Sequence, residues 1–174
     1  MTKIRYLDIQ RMSSEDGPGL RTTIFFKGCS LACAWCHNPE SIAKKFQVHW
    51  LSTRCIGCGS CDNICPNGAL TRDESGVHID RRLCTGCCTC VGACPTLALE
   101  CKGIDAEPEE LCRELVKDRA YFGRDGGVTL SGGEALLQDG AVELLRLLKQ
   151  EGIQTAVDTS GMLFTEQLQA ALPY

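Results

Sequence analysis

Cysteine is the residue that most constrains this chain: there are fourteen in 174 residues, and eleven fall into three tight groups. The first group is Cys29-x3-Cys33-x2-Cys36. The second holds Cys55, Cys58, Cys61 and Cys65, the last followed by Pro66, and the third holds Cys84, Cys87, Cys90 and Cys94, the last followed by Pro95. The start, from Met1 to Gly19, has no apolar run of signal-peptide length, and no stretch approaches a membrane span, so a cytoplasmic location is expected. Disulfides belong to oxidising compartments. So many thiols in a reducing setting are therefore expected to bind metal.

Spacing separates zinc from iron–sulfur chemistry. Structural zinc sites pair two C-x2-C knuckles around one ion. The second and third groups instead share C-x2-C-x2-C-x3-C-P, repeated about 29 residues apart. In that pattern three thiolates wrap one face of a cubane, and the fourth reaches the neighbouring cluster. Cys55, Cys58, Cys61 and Cys94 are thus expected to hold one [4Fe–4S] cluster, and Cys84, Cys87, Cys90 and Cys65 a second. The matching segments Asn67 to Leu70 and Thr96 to Leu99 mark a duplication. Cys88, Cys101 and Cys112 are left over, and are expected to be small buried hydrophobes or inert thiols.

The first group differs. Three thiolates leave one iron of a cubane without a protein ligand, free for a substrate amine and carboxylate. His37 follows Cys36 directly, and two successive side chains rarely reach different corners of one cube.

The rest of the chain reads as α/β. Arg21 to Gly28 reads as a buried strand after an Asp16-Gly17-Pro18-Gly19 turn. A helix opens near Asp105 to Pro108, with Leu111, Leu115, Val116 and Phe122 as its apolar stripe. Gly127 to Leu130 reads as a strand leading into Ser131-Gly132-Gly133-Glu134. Ala135 to Gln150 reads as a helix with Leu137, Leu144, Leu145 and Leu148 inward. Ile153 to Val157 reads as a strand ending in Asp158-Thr159-Ser160-Gly161, and Thr165 starts a last helix. Strands alternating with helices imply a parallel sheet or barrel with the polar motifs on one rim. The expected division is 1–45 for the first part of the barrel, 46–102 for a cysteine-rich insert and 103–174 for its continuation. A net charge of −4 gives no basic surface for nucleic acid or an anionic membrane.

These elements together resemble the glycyl-radical-enzyme activating enzymes of the radical S-adenosylmethionine superfamily, of the pyruvate formate-lyase activase type. The resemblance rests on Asp16-Gly17-Pro18-Gly19-Leu20-Arg21-Thr22, Phe26-Lys27-Gly28-Cys29, Cys33 to Cys36, His37-Asn38-Pro39-Glu40, the insert, Gly127 to Glu134, and Asp158 to Gly161. It implies a partial (β/α) barrel of about three βα units with an inserted bacterial-ferredoxin-like α+β domain. It implies three [4Fe–4S] clusters and S-adenosylmethionine, the Cys29, Cys33, Cys36 cluster cleaving the latter to a 5′-deoxyadenosyl radical. That radical takes a hydrogen from a glycine in the glycine loop of a partner glycyl radical enzyme. A flavodoxin- or ferredoxin-type donor supplies electrons.

By position, Gly132, Gly133 and Glu134 are implied to meet the amino group of S-adenosylmethionine, and Trp35, His37 and Asn38 to lie near the adenosine. Asp158 and Thr159 are implied to form part of a monovalent-cation site, with a helix cap as the equal alternative for Asp158. Asp16 and Arg21 are implied to lie near the glycine-loop groove, with a structural turn and a surface cation as the plainer readings. The family continues for further strands, so the chain is expected to be C-terminally truncated. Two other readings stand beside this one. They are an iron–sulfur electron-transfer module left by truncation, and a radical enzyme acting on a small molecule.

Overall fold

The computed structural model describes residues 2–162 and 166–174. The expected helix start at Thr165 lies outside the described residues. The chain divides into two compact units, Met1–Lys44 with Ile104–Tyr174, and Lys45–Gly103. In chain order the strands are β1 (Ile4–Ser13), β2 (Arg21–Phe26), β3 (Gln47–Trp50), β4 (Leu70–Asp73), β5 (Gly76–Ile79), β6 (Leu99–Lys102), β7 (Ile104–Ala106), β8 (Gly127–Gly132) and β9 (Gln154–Val157). The α-helices are α1 (Thr89–Gly92), α2 (Pro108–Val116), α3 (Arg119–Phe122), α4 (Gly140–Gln150) and α5 (Glu166–Ala171).

The larger unit is built on a five-stranded sheet in the order β7-β1-β2-β8-β9. β2, β8 and β9 are parallel, a pairing that requires crossover connections such as those through the helices here, while β1 lies antiparallel to both β2 and β7. The sheet is thus mixed and open, a partial barrel. Strand periodicity sends Ile24, Phe26, Val128 and Leu130 to one face, where they pack with Leu111 and Leu115 of α2 and Leu144, Leu145 and Leu148 of α4. Burying such side chains stabilises by roughly 1.5–3 kcal/mol each, which makes this seam the main source of cohesion.

The alternate positions of β2 and β8 carry a buried polar network instead. Arg21 is 2% exposed, so it is not the surface cation of the plainer reading. Its Nε donates to Thr129 Oγ1 at 2.6 Å, Nη1 to the Pro18 carbonyl at 3.1 Å and Nη2 to the Val128 carbonyl at 2.9 Å. Thr129 Oγ1 in turn donates to the Asp16 carbonyl at 2.7 Å, so the turn before β2 is pinned to β8. Burial pulls the guanidinium below its ordinary value, against the opposing charges of Asp158 and Asp16.

Four expectations are corrected. Asp105 does not open a helix: it belongs to β7, where its carboxylate grips Arg5 at 2.6 and 2.7 Å. The helix begins at Pro108, with the Glu110 side chain reaching back to the Glu107 N–H at 3.2 Å, and Phe122 belongs to the separate α3. The helix expected over 135–150 is a single 3-10 turn, Ala135–Leu137, then a break, then α4. Gln138 causes the break. Its amide accepts from Arg5 N at 2.7 Å and donates to the Arg5 and Lys27 carbonyls at 2.7 and 3.1 Å. Leu137, expected inward, is displaced outward to 37% exposure.

The smaller unit contains two hairpin-like pairs, β3 with β6 and β4 with β5, both antiparallel. Its core is Val48, Leu70, Val77, Cys90 and Leu99. Cys88 and Cys101 are not free thiols: they form a disulfide, with Cα atoms 5.8 Å apart. Cys112 is buried in the larger unit's core, as a small hydrophobe.

Candidate functional site

The strand ends of the larger unit gather most of the residues that sequence reasoning singles out. β2 stops at Phe26, and Gly28, at φ 118°, turns the chain into the cysteine loop. That loop is stitched down by Gly28 N to the Ser41 carbonyl at 2.6 Å and Cys29 N to the Ile42 carbonyl at 3.0 Å. Lys27 is fully buried, and its ammonium donates to the Glu40 carbonyl on the far side of the loop.

The glycine loop docks on the same strand end. Gly133 N donates to the Phe26 carbonyl and Glu134 N to the Gly28 carbonyl, both at 2.9 Å. A side chain at Gly133 would overlap the Gly28 carbonyl, and one at Gly132 would crowd the Phe26 backbone. These glycines are required because two backbones meet there.

Glu134 is 1% exposed, and both of its carboxylate oxygens are engaged. Thr159 Oγ1 donates to one at 2.8 Å; Ser160 N and Ser160 Oγ donate to the other at 3.0 and 2.8 Å. The carboxylate therefore braces the segment after β9, while Asp158 N bonds the Leu130 carbonyl at 2.9 Å. Ser160 had no individual role in the sequence reading. A hydroxyl three residues past a strand end gives no signal until its acceptor is known.

Between these loops lies a cleft of about 380 Å³. Cys29, Cys33, Cys36, Trp35, His37, Gly132, Gly133, Glu134, Asp158 and Thr159 all line it. Trp35 stands on its rim, 84% exposed. Asn38 is not among the lining residues. It faces an adjoining hollow with His37, Glu40 and Asp16, and its carbonyl accepts from Ser41 Oγ at 2.6 Å.

Replacing Glu134 by alanine leaves the donors of Thr159 and Ser160 without an acceptor, which is expected to cost about 2 kcal/mol. A lowered urea midpoint and faster exchange of the Ser160 amide would register it. Glu134→Gln, which keeps one carbonyl oxygen, should lose less. Equal effects from both changes would mean that the bracing bonds contribute nothing.

In the smaller unit the sulfurs gather around two cavities. Cys55, Cys58, Cys61 and Cys94 line one; Cys65, Cys84, Cys87 and Cys90 line the other. Backbone donors face the last cysteine of each run, Ala69 N to Cys65 Sγ at 3.3 Å and Ala98 N to Cys94 Sγ at 3.2 Å. The hydroxyls of Ser60 and Thr89, in contact at 3.3 and 3.4 Å, draw the Cys58 and Cys87 thiols below their ordinary value. Burial pushes the Cys61 and Cys90 thiols up. Among the described residues no three His, Cys, Asp or Glu side chains converge as ligands of a single ion. Cubanes spread their ligands over separate irons, and sulfur donors backed by N–H groups suit them. In the larger unit Leu31 N donates to Cys29 Sγ at 3.4 Å, and the three thiols of that loop share one cleft, so this donor set fits too.

Comparison with known proteins agrees. The family model described as a 4Fe-4S dicluster domain matches residues 54–98. The chain is 45% identical over 163 residues to the trans-4-hydroxy-L-proline dehydratase activating enzyme of Clostridioides difficile, covering 92% of this chain and 54% of that protein. It is 46% identical over 160 residues to the benzylsuccinate synthase activating enzyme of Thauera aromatica, covering 88% and 48%. It is 41% identical over 177 residues to the choline trimethylamine-lyase activating enzyme of Oleidesulfovibrio alaskensis, covering 99% and 57%. The chain spans about half the length of these curated relatives. The solved structure of QueE from Escherichia coli superposes with a TM-score of 0.50 at 19% identity, over 91% of this chain and 53% of that one, a likeness of fold. No helix among the described residues is long and apolar enough to cross a membrane. Over nearly its whole length the chain is thus similar to the activating enzymes of glycyl radical enzymes, and its residues 54–98 match an iron–sulfur dicluster domain.

Proposed function

We propose that this chain supplies the cluster-bearing part of an activase that installs a radical on a glycine of a partner enzyme. One observation carries the reading: the three-cysteine loop, the Gly132 to Glu134 loop and Asp158 share one cleft at the ends of parallel strands. Such strand ends are where α/β proteins assemble ligand sites. When bound, the reduced cluster and S-adenosylmethionine supply a 5′-deoxyadenosyl radical able to take the glycine α-hydrogen.

The residues divide the work as follows. Cys29, Cys33 and Cys36 hold a [4Fe–4S] cluster and leave one iron open. Gly132 and Gly133 let backbone approach the ligand's amino end closely. Glu134 holds Thr159 and Ser160 in place beside it, and Asp158 with Thr159 provides oxygens for a monovalent cation. Trp35 and His37 flank the adenosine, and Asn38 orders the turn beneath them through its carbonyl. Cys55, Cys58, Cys61 and Cys94 hold a second cluster, and Cys65, Cys84, Cys87 and Cys90 a third. This pair relays electrons from a flavodoxin- or ferredoxin-type donor. The partner is a glycyl radical enzyme presenting its glycine loop.

Anaerobic reconstitution with iron and sulfide tests the reading. About twelve irons per chain are expected, with 5′-deoxyadenosine released under dithionite. A glycyl radical signal should then appear in the added partner. Intact clusters without 5′-deoxyadenosine would make the chain an electron carrier; 5′-deoxyadenosine without a protein radical would point to a small-molecule substrate.

A further inference from the structure

The disulfide between Cys88 and Cys101 lies outside every role given above. The insert's own duplication shows why these two positions meet. With the halves superposed in sequence, Cys88 corresponds to Gly59 and Cys101 to Arg72. Gly59 is at φ 76°, and Cys88 takes nearly the same left-handed backbone, φ 57° and ψ 13°. Only glycine adopts that region freely, so Cys88 occupies a glycine's place in the fold. A Cβ built on Gly59 would stand 3.2 Å from the Arg72 guanidinium. In both halves the Cβ direction of the first position therefore points at the residue at the second. In the second half that pair is two thiols.

The location gives the pair consequence. Cys88 lies on the wall of the cavity lined by Cys65, Cys84, Cys87 and Cys90. Cys101 is in β6, opposite Val48 of β3. The bond closes a loop of sequence separation 13 that contains Cys90 and Cys94. Those two line different cavities, so one crosslink ties down a donor of each. Both bonded residues are partly exposed, within reach of small thiol reagents. In a reducing setting a disulfide is more often transient and redox-sensing than permanent.

We propose that Cys88 and Cys101 form a redox-modification site: a reversible disulfide, distinct from the cluster ligands, that locks the segment carrying Cys90 and Cys94. In the oxidising direction, one of the two thiolates attacks a small external disulfide and displaces a thiolate. The second then displaces the other half of the reagent. The Sγ–Sγ bond forms, the external disulfide is reduced to two thiols, and those take up the two protons the cysteines lose. A small dithiol reverses the step. The inference rests on the proposed cluster assignment only in leaving Cys88 free of iron.

The test uses the anaerobically reconstituted chain, divided between excess oxidised glutathione and excess dithiothreitol. Each half is then denatured with chelator and iodoacetamide and weighed by mass spectrometry. The oxidised sample is expected to carry two fewer alkyl groups, with fragment ions placing the link between Cys88 and Cys101. Dithiothreitol should restore both groups, and the Cys88→Ser/Cys101→Ser double variant should show no difference between the halves. Equal alkylation of the wild-type halves, or a link mapped to other cysteines, overturns the proposal. So does a fall of about four irons in Cys88→Ser, which would make Cys88 a ligand. A wild-type chain holding only about four irons would instead sink the dicluster reading, and the alkylation count would still decide the fate of this pair.

Discussion

Cys33→Ala is expected to lower the iron content of the reconstituted chain from about twelve to about eight atoms, while the absorption of the other clusters persists. Formation of 5′-deoxyadenosine should fall at least about 100-fold, since losing a ligand is worse than losing a ligand's supporting contact. The expectation follows from separation. Cys29, Cys33 and Cys36 line a cleft in the larger unit, whereas the other eight grouped cysteines line two cavities in the smaller one. Cys94→Ala should behave differently. It should remove the cluster whose other ligands, Cys55, Cys58 and Cys61, come from the earlier run, leaving the Cys84, Cys87 and Cys90 cluster in place. Unchanged iron in Cys33→Ala would refute the assignment of the three-cysteine loop. Loss of the Cys84, Cys87 and Cys90 cluster in Cys94→Ala would refute the exchange of ligands between the two runs.

Gly133→Ala should damage the larger unit at the point where the two site loops meet. A Cβ there overlaps the Gly28 carbonyl and stands 2.9 Å from its carbon and 3.1 Å from the Ser41 carbonyl oxygen. All three are backbone atoms of the cysteine loop, which cannot swing aside as a side chain can. Relief requires breaking the 2.9 Å bonds from Gly133 N to Phe26 and Glu134 N to Gly28. A destabilisation of about 3 kcal/mol is expected, at the upper end of overpacking effects. Denaturant unfolding would report the stability loss. Equilibrium dialysis with S-adenosylmethionine should show weakened binding at denaturant-free equilibrium. Wild-type values in both measurements would mean that the loops are not held by this approach. Gly152→Ala is a useful comparison. Nothing lies within 4 Å of a Cβ there, so its cost comes only from the φ of 70°.

What was legible in the chain followed from local rules. β2, β8 and β9 announce themselves as apolar runs ending in polar motifs, and the rim they form was implied by their order. The pairing of each run's last cysteine with the other run was implied by spacing, and the two cavities gather the same sets. β1 was invisible because it borders the short β7, and of its hydrophobic residues only Ile4 is fully buried. Asp105 looked like a helix cap because an acidic residue before proline usually is one. Its partner, Arg5, lies a hundred residues away. Gln138 breaks a helix that local propensity would continue, since its amide satisfies backbone groups of β1 and of Lys27. The disulfide was missed for the same reason, because it depends on a fold-level coincidence between a left-handed turn and a strand. β1 apart, each failure traces to a contact between residues distant in sequence.

The smaller unit begins and ends on one antiparallel pair, Gln47 beside Lys102 and Trp50 beside Leu99. Its two chain ends therefore leave side by side, as the ends of a hairpin do. A module with that geometry can be spliced into a loop of a host without pulling the flanking strands apart, because the host has only a short gap to bridge. The same geometry makes it removable in one piece. A short linker across positions 45–103 would give a chain that keeps the sheet and the three-cysteine cleft while shedding eight grouped thiols, isolating the two kinds of iron chemistry from one another.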